Sequence, residues 1–310
     1  MIPRPPPREG SLGFLYLPPF RVQGFSVAGE ATSIAIPEMD ICFDMGKAPR
    51  AHLAPKYAVI THGHMDHIGG LAYWCSQRNF QGMGPGTIVC DARIENDIRG
   101  MMDGFQALER QKTPYEVVAL DEGDELEIKN NIVLRPFRTE HTCPSVGYTL
   151  VEKRTKLKPE LMGLPQEKLR ELKDRGEEIV NHLNVPLVAY TGDTLPGPHL
   201  LREDVMNAQI IISECTFFER DHKDRAKVGM HMHVSDIAEW IKVAQCEAMV
   251  ICHISRRTHL GQARKALMDM VGPELGQKVH FLMDHRANKE RYEVQAQEAE
   301  QRERELAARD

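Results

Sequence analysis

The sequence predicts an α/β fold, with β-sheets in the interior and helices outside. From residue 57 onward, short apolar runs of strand length alternate with segments of helical periodicity, which is typical of such folds. Residues 12–43 instead hold short apolar runs separated by Gly, Pro and Glu, as expected for an antiparallel meander. Several later runs end abruptly at His, Asp or Glu, so polar groups are expected at the ends of the predicted strands.

The composition is that of an ordinary globular protein of 310 residues, with 42% hydrophobic and 27% charged residues. The net charge of −6 argues against indiscriminate nucleic-acid binding but leaves local basic patches open. Seven cysteines without a CxxC pair indicate mostly buried free thiols in a reducing compartment. No apolar run reaches the roughly 18 residues of a membrane span, and the N-terminus lacks a signal-peptide core. We therefore expect a cytoplasmic protein with no membrane contact.

The chain divides into a main domain with two flanking segments. Residues 1–10 are expected to be a disordered, proline-rich lead-in, and residues 11–287 the domain itself. Within the domain we predict a buried strand at 57–61 and helices at 71–78 and 93–110.

Further strands are predicted at 87–90, 115–120 and 126–137. A loop that carries His231 and His233 then leads into a helix capped near Ser235.

Residues 152–184 interrupt the alternation and should form a short projecting arm, either a hairpin or a helix. The arm opens with four basic residues, Lys153, Arg154, Lys156 and Lys158, and is otherwise mixed in charge. A solvated surface helix without a binding role is an equally good interpretation of this composition. Residues 288–310 are highly charged with little apolar periodicity, which indicates a solvated helical tail or a frayed end.

The stretch of residues 57–71, YAVITHGHMDHIGGL, carries the strongest chemical signal. The strand at its start is followed by His62, His64, Asp66 and His67, and then by a Gly-Gly turn. Imidazole and carboxylate are the ligands that zinc and similar divalent ions prefer. A solvated His-rich loop is a poor alternative for so many ligands directly after a buried strand. Asp44, at the end of an earlier strand, is either a turn residue or an outer support of the same site.

Other predicted strands end at further ligand-type residues. Collecting these with the first stretch gives seven candidates, which are His62, His64, Asp66, His67, His141, Asp193 and His253. Seven ligands exceed the need of one tetrahedral ion and suit two ions that share a carboxylate, for which Asp193 is the candidate. Two aspartates and a hydroxide would leave two Zn²⁺ with a charge of about +1, which matches a phosphodiester and favours its hydrolysis.

Glu214 and His231 are candidates for a proton-donating pair. Glu214 ends a buried apolar run, and a carboxylate that orients a histidine makes a plausible general acid. A strand-end Glu that only caps or pairs a neighbour is an equally good interpretation at this point. His233 and His259 are interpreted as structural or solvent-facing.

These motifs resemble the metallo-β-lactamase superfamily, and within it the short, plant- and cyanobacterial-like tRNase Z. THGHMDH matches the superfamily's HxHxDH signature, and HTCPSVGY, YTGDT, SECTF and CHISRR are similar to further tRNase Z motifs. The resemblance covers roughly residues 20–285. Two motifs depart from it, because Ser255-Arg256-Arg257-Thr258 lacks the family's aromatic residue and Met230-His231-Met232-His233 leaves two candidates for the catalytic histidine.

The resemblance implies an αββα sandwich of two mixed sheets, with two Zn²⁺ ions or another divalent ion such as Mn²⁺ at one edge. It implies that His62, His64 and His141 bind one ion, that Asp66, His67 and His253 bind the other, and that Asp193 bridges them. Asp66 would also position the hydroxide, and Glu214 and His231 would donate the proton.

The implied activity is removal of the 3′ trailer from precursor tRNA, leaving a 3′-hydroxyl. The arm at 152–184 would grip the tRNA through its basic residues, and the protein would be a homodimer. The alternative is a metallo-phosphodiesterase for small diesters or other RNA. Two further hypotheses are a catalytically silent RNA-binding or scaffold protein and, on fold grounds alone, a β-lactam or thioester hydrolase.

Overall fold

Two β-sheets pack face to face in the computed structural model, which describes residues 2–5 and 12–308. The strands of the first sheet are β1 (Gly13–Leu17), β2 (Phe20–Val27), β3 (Ala31–Ile36), β4 (Ile41–Phe43), β5 (Tyr57–Val59), β6 (Gly86–Asp91) and β7 (Tyr115–Leu120). Those of the second are β8 (Leu126–Lys129), β9 (Ile132–Arg138), β10 (Val146–Leu157), β11 (Val180–Tyr190), β12 (Ile210–Glu214), β13 (Ala248–Cys252) and β14 (Val279–Phe281). Within each sheet the spatial order follows the sequence, from β1 to β7 and from β8 to β14.

The helices lie outside the sheets, on their outer faces, at their edges and at the tip of the segment that joins β10 to β11. They are α1 (Met65–Ile68), α2 (Leu71–Phe80), α3 (Glu95–Glu109), α4 (Gln166–Asp174), α5 (Glu203–Met206), α6 (Lys223–Gly229), α7 (Val234–Ile241), α8 (Leu260–Gly276) and α9 (His285–Ala307). None of them, within the described part of the chain, combines the length and the apolar character that a membrane span requires. The predicted α/β class and the αββα layering are therefore confirmed.

Among the described residues, three hydrophobic cores hold the layers together. The central core lies between the sheets and includes Ile34, Phe43, Tyr148 and Ile212. One outer core packs α2 and α3 on the first sheet, and the other packs α7 and α8 on the second. The inner strands are buried on both faces, which is why the sequence shows them as continuous apolar runs rather than alternating ones.

Strand direction brings the functional residues to one edge. The first four strands form the predicted antiparallel meander, after which β4, β5, β6 and β7 run parallel. In the second sheet β11, β12, β13 and β14 run parallel, and β9 points the same way because β10 is antiparallel to both β9 and β11. Parallel strands end at a common edge, so the loops after β5, β9, β11 and β13 meet there.

The two flanking segments lie partly within the described residues. Residues 288–307 of the expected helical tail belong to α9, which begins at His285 and packs its first half against β1 instead of being solvated throughout, and residues 309 and 310 lie outside the described residues. Phe14 meets Tyr292 edge to face, with 5.7 Å between ring centroids, and Gln295 donates a hydrogen bond to the carbonyl of Tyr16. Of the expected lead-in at 1–10, residues 1 and 6–10 lie outside the described residues, and Arg4 and Pro5 line a pocket beside β2.

Candidate metal centre

The seven candidate ligands come together from both sheets at the shared edge. His62 and His64 lie in the loop after β5, and Asp66 and His67 lie on the short helix α1. The second sheet contributes His141 after β9, Asp193 after β11 and His253 directly after β13. Residues that are up to 191 positions apart in sequence therefore surround one small volume.

Three imidazoles form the first ligand cluster. The Nε2 atom of His62 lies 3.1 Å from Nδ1 of His64, which lies 3.2 Å from Nε2 of His141. The Oδ2 atom of Asp193 is 3.9 Å from Nε2 of His62. The Cys143 thiol also lies near His62 and His64, with all three potential ligand atoms within 4.8 Å of one another.

The second cluster shares its aspartate with the first. The Oδ2 atom of Asp193 lies 3.2 Å from Nε2 of both His67 and His253. The Oδ2 atom of Asp66 lies 3.4 Å from His253 Nε2 and 3.8 Å from His67 Nε2. One carboxylate oxygen thus lies beside ligands of both clusters, as the sequence-based bridging assignment of Asp193 expects.

Hydrogen bonds on the outer side of the rings fix which nitrogen faces inward. His67 donates Nδ1–H to Asp44 at 2.8 Å, and His141 donates Nδ1–H to the carbonyl of Met230 at 3.0 Å. His62 donates Nδ1–H to the Thr61 hydroxyl at 2.9 Å, because that hydroxyl itself donates to Asp44. The inner nitrogen of each ring is therefore the one that faces the cluster, and in the neutral ring it offers the lone pair that a metal ligand needs.

The His253 ring is held in the same manner. Its Nδ1–H donates to the Thr216 hydroxyl at 3.0 Å, and that hydroxyl donates to Glu214 at 2.7 Å. Asp66 is fixed by the backbone N–H of Gly29, which donates to its Oδ2 at 2.9 Å. Thr216 lies in the SECTF motif, but neither its hydroxyl nor the Gly29 N–H was predicted to support the ligands, because both contacts depend on tertiary structure.

The donor set fits divalent metal ions. Ligand atoms about 2.0–2.1 Å from a tetrahedral Zn²⁺ lie about 3.3–3.4 Å apart, close to the 3.2–3.8 Å separations measured in the second cluster. The Oδ1 atom of Asp193 is buried and has no hydrogen-bond partner among the described residues. Imidazole nitrogens that face inward and an unsatisfied buried carboxylate oxygen together favour the binding of a cation.

The pKa values of the ligands show how their charges are arranged around the cluster. Burial, together with the neighbouring His67, lowers the pKa of His62 to about 2, so this ring is a neutral ligand. Burial alone would raise the pKa of Asp193, but His253 and His67 hold it well below its usual range. Burial alone would lower the pKa of His67, but the Asp193 and Asp44 carboxylates raise it well above its ordinary value. In the metal-free protein the buried carboxylates are thus paired with a protonated His67, which must release that proton when it binds a metal.

Asp44 anchors the centre from outside the ligand shell. Its carboxylate also accepts hydrogen bonds from the backbone N–H of Thr61 and from the Tyr190 hydroxyl, both at 2.8 Å. Asp44 and His253 both have positive φ, at 56° and 53°. Non-glycine residues held in this region cost free energy and cluster at functional sites. Of the two interpretations that the sequence allowed, the structure supports the outer support of the metal centre.

Glu214 and His231 form a hydrogen-bonded pair beside the ligands. The Nδ1 atom of His231 lies 2.9 Å from Oε1 of Glu214, which also accepts from the backbone N–H of Thr194 at 2.9 Å. Burial alone would lower the pKa of His231, but the Glu214 carboxylate raises it to about 9. The ring therefore carries a proton at neutral pH and can donate it.

Sequence comparison with known proteins shows to which family this chain belongs. The chain is 30% identical to tRNase Z TRZ1 of Arabidopsis thaliana over 258 residues, covering 82% of this chain and 92% of that protein. It is also 30% identical to the chloroplastic tRNase Z TRZ2 of the same plant over 255 residues, covering 81% and 72%. A family model described as Anti-Pycsar protein Apyc1 matches residues 43–277. The chain belongs to the tRNase Z family and to the family of the Apyc1 model.

Solved structures support the fold of this tRNase Z family member. The metallo-β-lactamase fold protein YhfI of Bacillus subtilis superposes with a TM-score of 0.58 at 15% identity, covering 87% of this chain and 95% of that one. The short form of human tRNase Z superposes with a TM-score of 0.53 at 18% identity and the same coverage. The family recognised from the sequence motifs and the metallo-β-lactamase fold are thus confirmed.

The structure separates the two histidines that the family motif left open. His233 is the N-cap of α7, where its Nδ1 accepts from the backbone N–H of Ser235 at 3.2 Å and its Nε2–H donates to the carbonyl of Glu219 at 3.0 Å. The cap is therefore His233 rather than Ser235. His231 instead contacts Glu214 and lies beside the ligand histidines, with its ring 5.1 Å from that of His141.

The arm of the tRNase Z family member is a long hairpin with a helix at its tip. β10 and β11 pair as far as Leu157 and Val180, and α4 lies between them. Three of the four basic residues at its start form ion pairs, Lys153 with Glu125, Arg154 with Glu152 at 2.6 Å, and Lys158 with Glu178 at 3.6 Å. The basic character suggested by the sequence is thus partly compensated in the folded arm.

Proposed function

We propose that this protein is a metal-dependent endoribonuclease that removes the 3′ trailer of precursor tRNA. The main support for the proposal is that the Glu214–His231 pair lies next to the seven-residue ligand cluster. His231 Nδ1 lies 3.9 Å from the shared Asp193 oxygen. Hydrolysis of a phosphodiester needs groups that activate water and a group that protonates the departing oxygen, and both are present within this distance.

In this proposal the two clusters would hold two divalent metal ions, zinc being the expected metal and Mn²⁺ an alternative. His62, His64 and His141 would hold one ion, Asp66, His67 and His253 would hold the other, and Asp193 would be shared between them. When bound, such a pair supplies an activated water and neutralises phosphate charge.

The chain's own residues carry the proton transfers. Asp66, fixed by the Gly29 N–H, orients the attacking water through its carboxylate. As the bond between phosphorus and the 3′-oxygen breaks, His231 gives its proton to that oxygen, which becomes the 3′-hydroxyl of the tRNA. Glu214 stabilises the protonated form of His231 before the transfer, and Thr194 and Thr216 hold the carboxylate in place.

We further propose that the arm contacts the tRNA through Lys153, Arg154, Lys156 and Lys158. The ion pairs that three of these residues form are on the surface, where each contributes only about 0–1 kcal/mol, so tRNA phosphates can replace the acidic partners. A homodimer and a cytoplasmic location complete the proposal.

Cleavage of a 3′-extended precursor tRNA, with the cut mapped to the nucleotide, tests this function. We expect one cut directly after the discriminator base, and loss of the cut in Asp66→Ala. Failure to cut, alongside metal-dependent hydrolysis of a chromogenic phosphodiester, would replace the proposal by the second candidate, a phosphodiesterase for small diesters. The compensated charge of the arm favours that candidate, since a small diester does not need the arm.

A further inference from the structure

A pocket of about 380 Å³ lies beside the proposed proton donor. Leu195 and Pro196, from the loop after Asp193, form part of its lining. Lys223 and Lys227 line it from α6, and His231 lines it from the loop after α6. The volume and the mixture of apolar and cationic groups suit one nucleotide.

The two lysines are available to bind a ligand. They are spaced i, i+4 on α6 and so lie on the same helical face. Both are exposed, and neither has an ion-pair or hydrogen-bond partner for its ammonium group among the residues that the structure describes. Lys153, Arg154 and Lys158 of the arm, in contrast, are already paired with carboxylates.

The lining also holds two carboxylates. Asp236 accepts a hydrogen bond from the backbone N–H of His233 at 3.0 Å and is part of the cap of α7, which leaves its negative charge in place. Asp224 is the other carboxylate, so the two lysines of the lining are balanced by two acidic residues. The two ammonium groups, rather than a net positive charge of the pocket, are therefore the groups that suit the single negative charge of a phosphodiester.

We propose that this pocket holds the last nucleotide of the mature tRNA, with Lys223 and Lys227 on its 5′-phosphate. The inference rests on the proposed function, because it follows from where the proton must go. The nucleotide whose 3′-oxygen departs has to lie next to His231. In the reaction the water oxygen bonds to phosphorus, the bond from phosphorus to the 3′-oxygen breaks, and the phosphate stays on the trailer. The apolar pair Leu195 and Pro196 packs against the sugar and base of the retained nucleotide.

Equilibrium binding of mature, trailer-free tRNA at several salt concentrations tests the inference without depending on turnover. The logarithm of the association constant falls linearly with the logarithm of the salt concentration. Lys223→Ala and Lys227→Ala should each make this slope shallower by about 1 and weaken binding by roughly three- to tenfold. Lys223→Arg retains the charge and should bind like wild type. Lys265→Ala, an exposed lysine on α8, is the matched control and should leave the slope unchanged.

The outcomes separate the two proposals. If wild type cuts precursor tRNA but the Lys223→Ala and Lys227→Ala variants keep the wild-type slope, the pocket assignment is wrong and the function stands. An equal loss of slope in Lys265→Ala would also overturn the assignment, because the effect would be one of general charge. If wild type cuts no precursor tRNA, the proposed function fails and the inference falls with it.

Discussion

Replacing Asp44 by Asn tests whether the outer support organises the metal centre. The carboxylate is fully buried and accepts hydrogen bonds from Thr61, His67 and Tyr190. Asn has the same shape and tolerates the left-handed backbone at this position, where φ is 56°. The change therefore removes the charge and one acceptor oxygen while leaving backbone strain almost unaltered.

The magnitude follows from the contacts. The amide NH₂ of Asn can only donate, so it would face groups that are themselves donors at 2.8–3.0 Å. Loss of a hydrogen bond to a charged group costs about 1.5–3 kcal/mol, and breaking a buried charged pair about 3–5 kcal/mol. We expect Asp44→Asn to lower the free energy of unfolding by about 3–5 kcal/mol. Metal affinity should fall by about 10–100-fold, because His67 loses the partner that fixes its tautomer.

Denaturant unfolding of the metal-free protein and competitive titration with a zinc chelator measure the two effects. Asp40→Asn is a matched control, since Asp40 also has positive φ, at 57°, but is exposed and accepts from the backbone N–H of Lys56. We expect this control to change stability by less than about 1 kcal/mol and to leave zinc affinity unaltered. Wild-type zinc affinity in Asp44→Asn would refute the assignment of Asp44 as the group that orients His67.

Three further predictions concern the ligand cluster and its neighbours. In the metal-free protein, Glu214→Gln should lower the pKa of His231 from about 9, as measured by histidine NMR. Because the folded-state pKa is raised, the stability that this pair contributes is complete below about pH 6.5 and is lost as the pH rises through 9, so the variant should show a flatter pH dependence of stability. His231→Ala should reduce the rate of precursor cleavage by about 10²–10⁴-fold. His233→Ala should instead lower the free energy of unfolding by about 1 kcal/mol, because the cap of α7 is lost. If kinetics and denaturation show the reverse pattern, the roles of the two histidines are exchanged. Chelation of the metal should lower the melting temperature, and an unchanged melting temperature would contradict metal binding at this edge.

The positions of the ligands could be predicted from the sequence because parallel strands end at a common edge. His62, Asp193 and His253 each follow an apolar run, and this pattern is visible without any knowledge of which strands are neighbours. The same runs predicted an α/β class with helices outside, since continuous apolar strands must be covered on both faces, whereas the αββα layering was implied by the resemblance to the metallo-β-lactamase superfamily.

The supporting contacts could not be predicted, because they depend on tertiary structure. Thr216 orients His253 across 37 residues, and the carbonyl of Met230 orients His141 across 89. The ion pairs of the arm could not be predicted either, because Lys153 is paired with Glu125, which lies in a different part of the chain. Local sequence composition showed a basic segment in the arm, but only the fold shows which of its cations are compensated.

The division of the ligands between the two sheets links metal binding to folding. His62, His64, Asp66 and His67 belong to the first sheet, and His141, Asp193 and His253 belong to the second. An ion held by both sets can bind only when the sheets are packed together, so it stabilises the native state by RT ln(1 + [L]/Kd), about 2.7 kcal/mol when the metal is at 100 times its Kd. Without metal, the buried Asp193 Oδ1 atom has no hydrogen-bond partner among the described residues at the interface between the sheets. The groups that make the site suitable for hydrolysis therefore also couple metal binding to the packing of the two sheets.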